Sequence, residues 1–189
     1  MIRFATREDG HAIAPLILVI LKDMELPLLD IVPEETILAV LAEAVADPTY
    51  RYGFKRGLVY EEEGQVAGIA FGYPNEDEPN IDEPLKKVLK KYNLDEEIRI
   101  FVDPETLPNE WYLDSISVDE KYRGLGIGSK LLDALPTMAK RDGKDTIGLS
   151  VDKANPNAKK LYSRKGFKDV AEMMISGHLY DHMQKKISE

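Results

Sequence analysis

Val118-Asp119-Glu120-Lys121-Tyr122-Arg123-Gly124-Leu125-Gly126-Ile127-Gly128-Ser129-Lys130-Leu131-Leu132 sets three glycines in alternation between a strand-like run and a helical one. Glycine permits left-handed backbone and lets a ligand approach bare N–H groups. A helix N-terminus adds unpaired donors and a partial positive charge, a combination suited to phosphate. Arg123 supplies a fixed cation at the entrance. The stretch therefore reads as a pyrophosphate cradle. It is not a Walker A loop, because Gly128 is followed by Ser129 and only then by Lys130. It is not a dinucleotide fingerprint, because the third glycine would have to stand at Ser129. Taken alone, a plain tight turn remains open.

Working outward, Trp111 to Val118 reads as the strand before the loop, and Gly126 to about Asp142 as the helix after it, stopped by Gly143. Pro136 inside that helix predicts a kink, at a cost of roughly 3 kcal/mol if unrelieved. Downstream come a strand over 146–152, a short helix over 156–165, and two closing strands over 167–176 and 178–186, hinged at Gly177. Upstream, Ile2 to Ala5 is a strand and Asp9 an N-cap for a helix from Gly10 to about Met24. Pro33-Glu34-Glu35 starts a second helix that ends near Asp47-Pro48. Leu58–Glu62 and Gln65–Tyr73 form a hairpin around Glu63-Gly64.

Between that hairpin and Trp111 lies a stretch of different composition. Pro74 to Glu110 holds eleven acids against five bases, most of the chain's net charge of −9. Within it, Leu85, Val88, Leu89 and Tyr92 fall on one helical face and four lysines on the other. The expectation is one domain over 1–189, with 75–110 an acidic insertion inside it.

The 189 residues suit a single domain with a sizeable core. There is no cysteine, which removes disulfides, thiolate catalysis and cysteine metal sites, and fits a cytoplasmic protein. Nothing at the N-terminus resembles a signal peptide, and the apolar run 12–21 is too short to span a bilayer. The excess of 34 acids over 25 bases argues against nucleic-acid binding. His178 and His182 share a strand face without a third ligand placed by sequence, so no metal is expected.

Two motifs in order now carry a resemblance. Arg123-Gly124-Leu125-Gly126-Ile127-Gly128 is similar to the R/Q-x-x-G-x-G/A motif of the GNAT superfamily of N-acetyltransferases. Asn155-Pro156-Asn157-Ala158-Lys159-Lys160-Leu161-Tyr162-Ser163-Arg164-Lys165-Gly166-Phe167 resembles that family's second signature, N-x-x-A-x-x-L-Y-x-x-x-G-F, at all six typed positions. The opening Ile2 to Asp9 resembles its first strand. The resemblance implies an α/β (α+β) fold: a mixed, mostly antiparallel sheet splayed between strands 4 and 5, flanked by about four helices, with an inserted helix before strand 4. It implies acetyl-CoA as acetyl donor and direct transfer to a primary amine, a small molecule or a peptide, without a metal. No nucleic acid or membrane partner is implied, and a homodimer through the last strands is common in the family.

Residue by residue, the resemblance puts the backbone of Ile116, Ser117 and Val118 against the pantetheine arm, with an N–H near Ile116 polarising the thioester carbonyl. Arg123 and the amides of Gly124, Leu125, Gly126, Ile127, Gly128 and Ser129 would hold the pyrophosphate. Asn155 would touch the arm, and from sequence alone also caps the helix at Pro156. Tyr162 would be the acid that protonates the leaving thiolate. The family's usual base positions hold Tyr112 and Ser150, not glutamates. Strand alternation puts Asp114 on the side of Ile116, so Asp114 is the expected base, through a water, with Glu110 second. The missing glutamates motivate a different reading, a non-catalytic CoA-binding or sensor module. The acidic insertion would line a pocket for a cationic amine, or be a solvated cover or dimer contact.

Overall fold

The structure is a computed structural model that describes residues 1–188. Seven strands form one sheet: β1 (Ile2–Phe4), β2 (Gly57–Glu62), β3 (Gln65–Pro74), β4 (Trp111–Val118), β5 (Thr146–Asp152), β6 (Lys168–Ile175) and β7 (His178–Lys186). Their order across the sheet is β1-β2-β3-β4-β5-β7-β6. Only β4 and β5 run parallel. The expected mixed, mostly antiparallel sheet is thus present.

Helices α1 (Gly10–Asp23) and α3 (Glu34–Ala44) cover one face. Their apolar stripes, including Ile13, Ile17, Leu21, Ile37 and Leu41, are buried against Val59, Ile69 and Phe71 of the sheet. Helices α5 (Ile127–Arg141) and α6 (Pro156–Arg164) cover the other. Leu131, Leu135 and Met138 of α5 recur at helical spacing and are fully buried. Each such side chain contributes about 1.5–3 kcal/mol on leaving water. The helix runs through Pro136 without interruption, although the ring removes one backbone donor. The short helix α2 (Leu28–Ile31) was not legible, since four residues carry no usable periodicity.

The insertion folds onto the body of the protein. Helix α4 (Leu85–Lys91) buries Leu85 and Leu89 in the core of α1 and α3 and turns its lysines outward. Many of the acids serve as ties. Asp77 pairs with Arg56 at 2.9 Å and Glu76 with Lys144 at 2.8 Å. Glu78 accepts from the amide of Glu105 at 2.9 Å, and Asp103 from the amide of Ser176 at 2.8 Å.

The sheet opens where β4 meets β5. Their pairing covers three residues on each strand: Trp111 with Ile147, Tyr112 with Gly148, Leu113 with Leu149. Beyond these, β4 pairs on its β3 side and β5 on its β7 side. A β-bulge marks the split. Phe71 faces Ser115 and Gly72 faces Leu113, so Asp114 is the extra residue. A bulge bends and twists its strand, here at the point where β4 leaves β5.

Candidate active site

The cradle is built as the glycines suggest. Gly124 and Gly126 hold φ angles of 81° and 76°, left-handed backbone that disfavours a side chain. The first backbone bond after the turn runs from the Lys130 amide to the Gly126 carbonyl at 3.0 Å. The donors before it project from the end of α5 into an open hollow of about 520 Å³. Val118, Arg123, Gly128, Ser129, Arg164 and Lys165 are among its walls, so three cations surround free peptide donors. A diphosphate fits that chemistry, and a Cβ added at Gly124 or Gly126 would meet no other atom within 4 Å. Leu125 is exposed at the tip of the turn.

Ile116, Ser117 and Val118 lie on the length of β4 that has left β5. Asn155 caps α6, its side chain accepting from the Ala158 amide at 3.1 Å. Tyr162 packs edge-on against Phe167, with ring centroids 6.2 Å apart. Burial pushes its phenol up to about 12, so the hydroxyl keeps its proton across the physiological range.

Asp114 differs from expectation. The bulge shifts the alternation of β4 by one residue. Trp111 and Leu113 face the α5 core before it, and Ile116 and Val118 face that core after it. Asp114 and Ile116 therefore do not share a face. The Asp114 side chain is 2% exposed and bonded to the guanidinium of Arg51. It also accepts from the Tyr73 hydroxyl at 3.2 Å and the Ser115 hydroxyl at 2.8 Å. Three donors hold this carboxylate, which makes it the counter-ion of Arg51 and shuts it away from an incoming amine.

Arg51, in the loop before β2, sits at the centre of a second cluster. It binds Asp82 through two nitrogens, at 2.9 and 3.0 Å, and Glu105 at 3.3 Å, and lies 4.1 Å over the Phe101 ring. Burial, together with the charge of Asp114 and only partly offset by Arg51, pushes the Glu105 carboxyl up to about 8. Its Oε1 lies 3.5 Å from the Tyr112 hydroxyl. Beside this cluster the insertion encloses a hollow of about 390 Å³, lined by Arg51 together with acids that include Asp82, Glu83, Glu96 and Glu97.

Glu110 occupies a third place. It is fully buried just ahead of β4 and lies over Gly148, where an added Cβ would come within 2.0 Å of its oxygen. It accepts from the Leu107 amide at 2.8 Å and the Gln184 side chain at 2.7 Å. The His182 Nε2 is 2.9 and 3.0 Å from its two oxygens. His182 in turn places Nδ1 3.2 Å from Ser150 Oγ. Its ring is fully buried and stacks on Tyr112 at 5.8 Å. Sequence reasoning weighed His182 only as a metal ligand and gave it no role. The signal that finds it is the β5–β7 register, which seats His182 directly opposite Ser150.

Comparison with known proteins agrees with this architecture. The acetyltransferase (GNAT) family matches residues 27–167. A crystal structure of an acetyltransferase is 66% identical over the whole of both chains, with a TM-score of 0.92. An N-acetyltransferase from Staphylococcus aureus Mu50 is 30% identical, covering 98% of this chain and 100% of its own, with a TM-score of 0.84. The [ribosomal protein bS18]-alanine N-acetyltransferase of Haemophilus ducreyi is 34% identical over 80 residues, 42% of this chain and 55% of the relative. The chain thus spans about half the length of that curated relative. With three quarters of its residues inside the family match and the splayed sheet and cradle in place, the chain belongs to the acetyltransferase (GNAT) family and is an acyltransferase.

Proposed function

We propose that the protein moves an acetyl group from acetyl-CoA to a primary amine by direct attack in a ternary complex. The observation that carries this reading is the left-handed glycine turn at the head of α5, set beside a sheet that parts between β4 and β5. Acetyl-CoA would supply an activated thioester. Arg123 and the amides of residues 124–129 hold its diphosphate, and Ile116, Ser117 and Val118 offer free strand edge to its amide-bearing arm. An N–H of that edge stabilises the oxyanion as it forms. Asn155 keeps α6 in place, and Tyr162 donates its proton to the leaving sulfur.

The acceptor reaches the throat, the opening of the sheet where β4 leaves β5, from the face bearing Arg51 and the acid-lined hollow, which favours a cationic amine. The alanine specificity of the Haemophilus relative makes an alanine-initiated peptide the first acceptor to try. The test is thiol release from acetyl-CoA with a panel of alanyl peptide, lysyl peptide and spermidine. Transfer to one of them is expected. Acetyl-CoA that neither raises the unfolding temperature nor loses its acetyl group would refute the reading. Glu96→Gln with Glu97→Gln, two exposed rim acids, should raise the acceptor KM and leave the donor Kd unchanged.

A further inference from the structure

We propose that Ser150, His182 and Glu110 form the proton relay that deprotonates the acceptor amine, Ser150 meeting the amine and His182 and Glu110 acting behind it. This rests on the amine-acetyltransferase reading above. The last paired residues of β4 and β5 are Leu113 and Leu149, so Ser150 is the first β5 residue inside the split. It is half-buried and reachable, whereas His182 and Glu110 are fully buried. The three come from β5, β7 and the loop before β4, and the carboxylate occupies the space that a side chain at Gly148 would fill.

The hydrogen bonds fix the direction of the relay. An ionised Glu110 can only accept, and it already takes the Leu107 amide and the Gln184 side chain. His182 must therefore carry its hydrogen on Nε2, facing Glu110. That leaves Nδ1 as a bare acceptor 3.2 Å from the Ser150 hydroxyl. A base oriented by a carboxylate and coupled to a hydroxyl at the reaction site is the arrangement that moves protons. When the ammonium N–H breaks, its proton passes to Ser150 Oγ, and the hydroxyl's own proton passes to His182 Nδ1. The freed nitrogen lone pair forms the N–C bond, the C–S bond breaks as Tyr162 protonates the sulfur, and the second proton of the acylated nitrogen restores Tyr162. The imidazolium is held by Glu110, and its proton returns through Ser150 to solvent after product leaves. The other titratable groups near His182 are Tyr112 against its ring, Glu105 beyond Tyr112, and the neighbouring Asp181 and Tyr180 of β7, with uncharged Ala171 opposite on β6. Asp181 is spent on Lys153 and Lys159.

A structural role for the same bonds would predict loss of folding or of donor binding. A relay predicts loss of rate that alkali repairs. The experiment measures kcat/KM against pH for wild type, Ser150→Ala and His182→Gln with the alanyl peptide, lysyl peptide and spermidine panel. Donor Kd and unfolding temperature are measured alongside. At neutral pH both variants should lose about 10²-fold or more in kcat with donor Kd unchanged. The loss with the alanyl peptide should shrink towards nothing as pH rises beyond the α-amino pKa of about 8, where solvent has already removed the proton. Ser150→Ala decides the matter if His182→Gln does not fold. A Ser150→Ala enzyme with wild-type rate and pH profile, or a loss equal at all pH, overturns the relay. So does an acetyl group trapped on Ser150, which would make the hydroxyl a nucleophile. A wild type inert towards every amine removes the transferase reading and the relay together.

Discussion

The two ends of the split between β4 and β5 are made in opposite ways. The proposed phosphate cradle centres on one run of chain, mostly exposed, and offers peptide N–H groups. The throat is assembled from residues up to 131 positions apart, Arg51 to His182, and its working atoms are buried side chains. A backbone site tolerates change in its side chains but not in its φ angles. A side-chain network tolerates neither the loss of a partner nor the loss of the gap that admits it.

The largest expected effect is at the throat. Arg51→Met would leave Asp114 and Asp82 without their shared cation, and should destabilise the protein by about 3–5 kcal/mol in urea titration, because unpaired buried charge is costly. A change below about 1 kcal/mol would mean that the cluster carries no charge worth balancing. Next is Tyr162→Phe, which should lower kcat by about 10²-fold while donor Kd stays fixed. Because the phenol titrates near 12, no alkaline fall in rate attributable to Tyr162 should be seen up to about pH 10, where an ordinary tyrosine is half ionised.

At the cradle, Gly126→Val meets open space, so its penalty is backbone strain of about 1–2 kcal/mol from the left-handed φ. Calorimetry should show weaker donor binding by roughly 10-fold, the equivalent of 1.4 kcal/mol, with stability lowered by no more than that strain. Unchanged binding would show that the turn does not grip the donor. The last effect is on the pH dependence of stability and concerns Glu105. Its folded carboxyl titrates near 8, above the unfolded value of 4.5, so the folded state binds its proton more tightly. The stability it contributes is full below about pH 4.5 and drains away as pH rises through 8. Glu105→Gln should flatten that slope in unfolding midpoints taken across pH 5 to 8. An identical slope would place the titrating group elsewhere.

How much of this was written in the sequence follows from the same contrast. The glycine turn and the helix start behind it were legible residue by residue, because a strand, a glycine turn and a helix start are local events. The second motif likewise placed Asn155 and Tyr162 on α6. The succession of strands and helices along the chain and the packing face of α4 were legible from apolar periodicity, whereas the splayed sheet came only from the family resemblance. The throat was not. The bet on Asp114 assumed unbroken alternation along β4, and a bulge that no local residue pattern announces moved it off the face of Ile116. His182 depends on a β5–β7 register fixed by the whole hairpin, and Glu110 on the absence of a side chain 38 positions away at Gly148. Arg51 lay in a loop with no motif around it, and only the fold brings it to Asp114.

The most direct measurement sets the two ends against each other: donor Kd and kcat determined together for Gly126→Val and Ser150→Ala. A crossed result is predicted. Gly126→Val should lose donor affinity and recover most of its kcat at saturating acetyl-CoA, and Ser150→Ala should bind donor as wild type does and turn over about 10²-fold more slowly at neutral pH. Two variants that lose affinity and turnover in the same proportion would contradict the separation of grip from proton transfer on which the account stands.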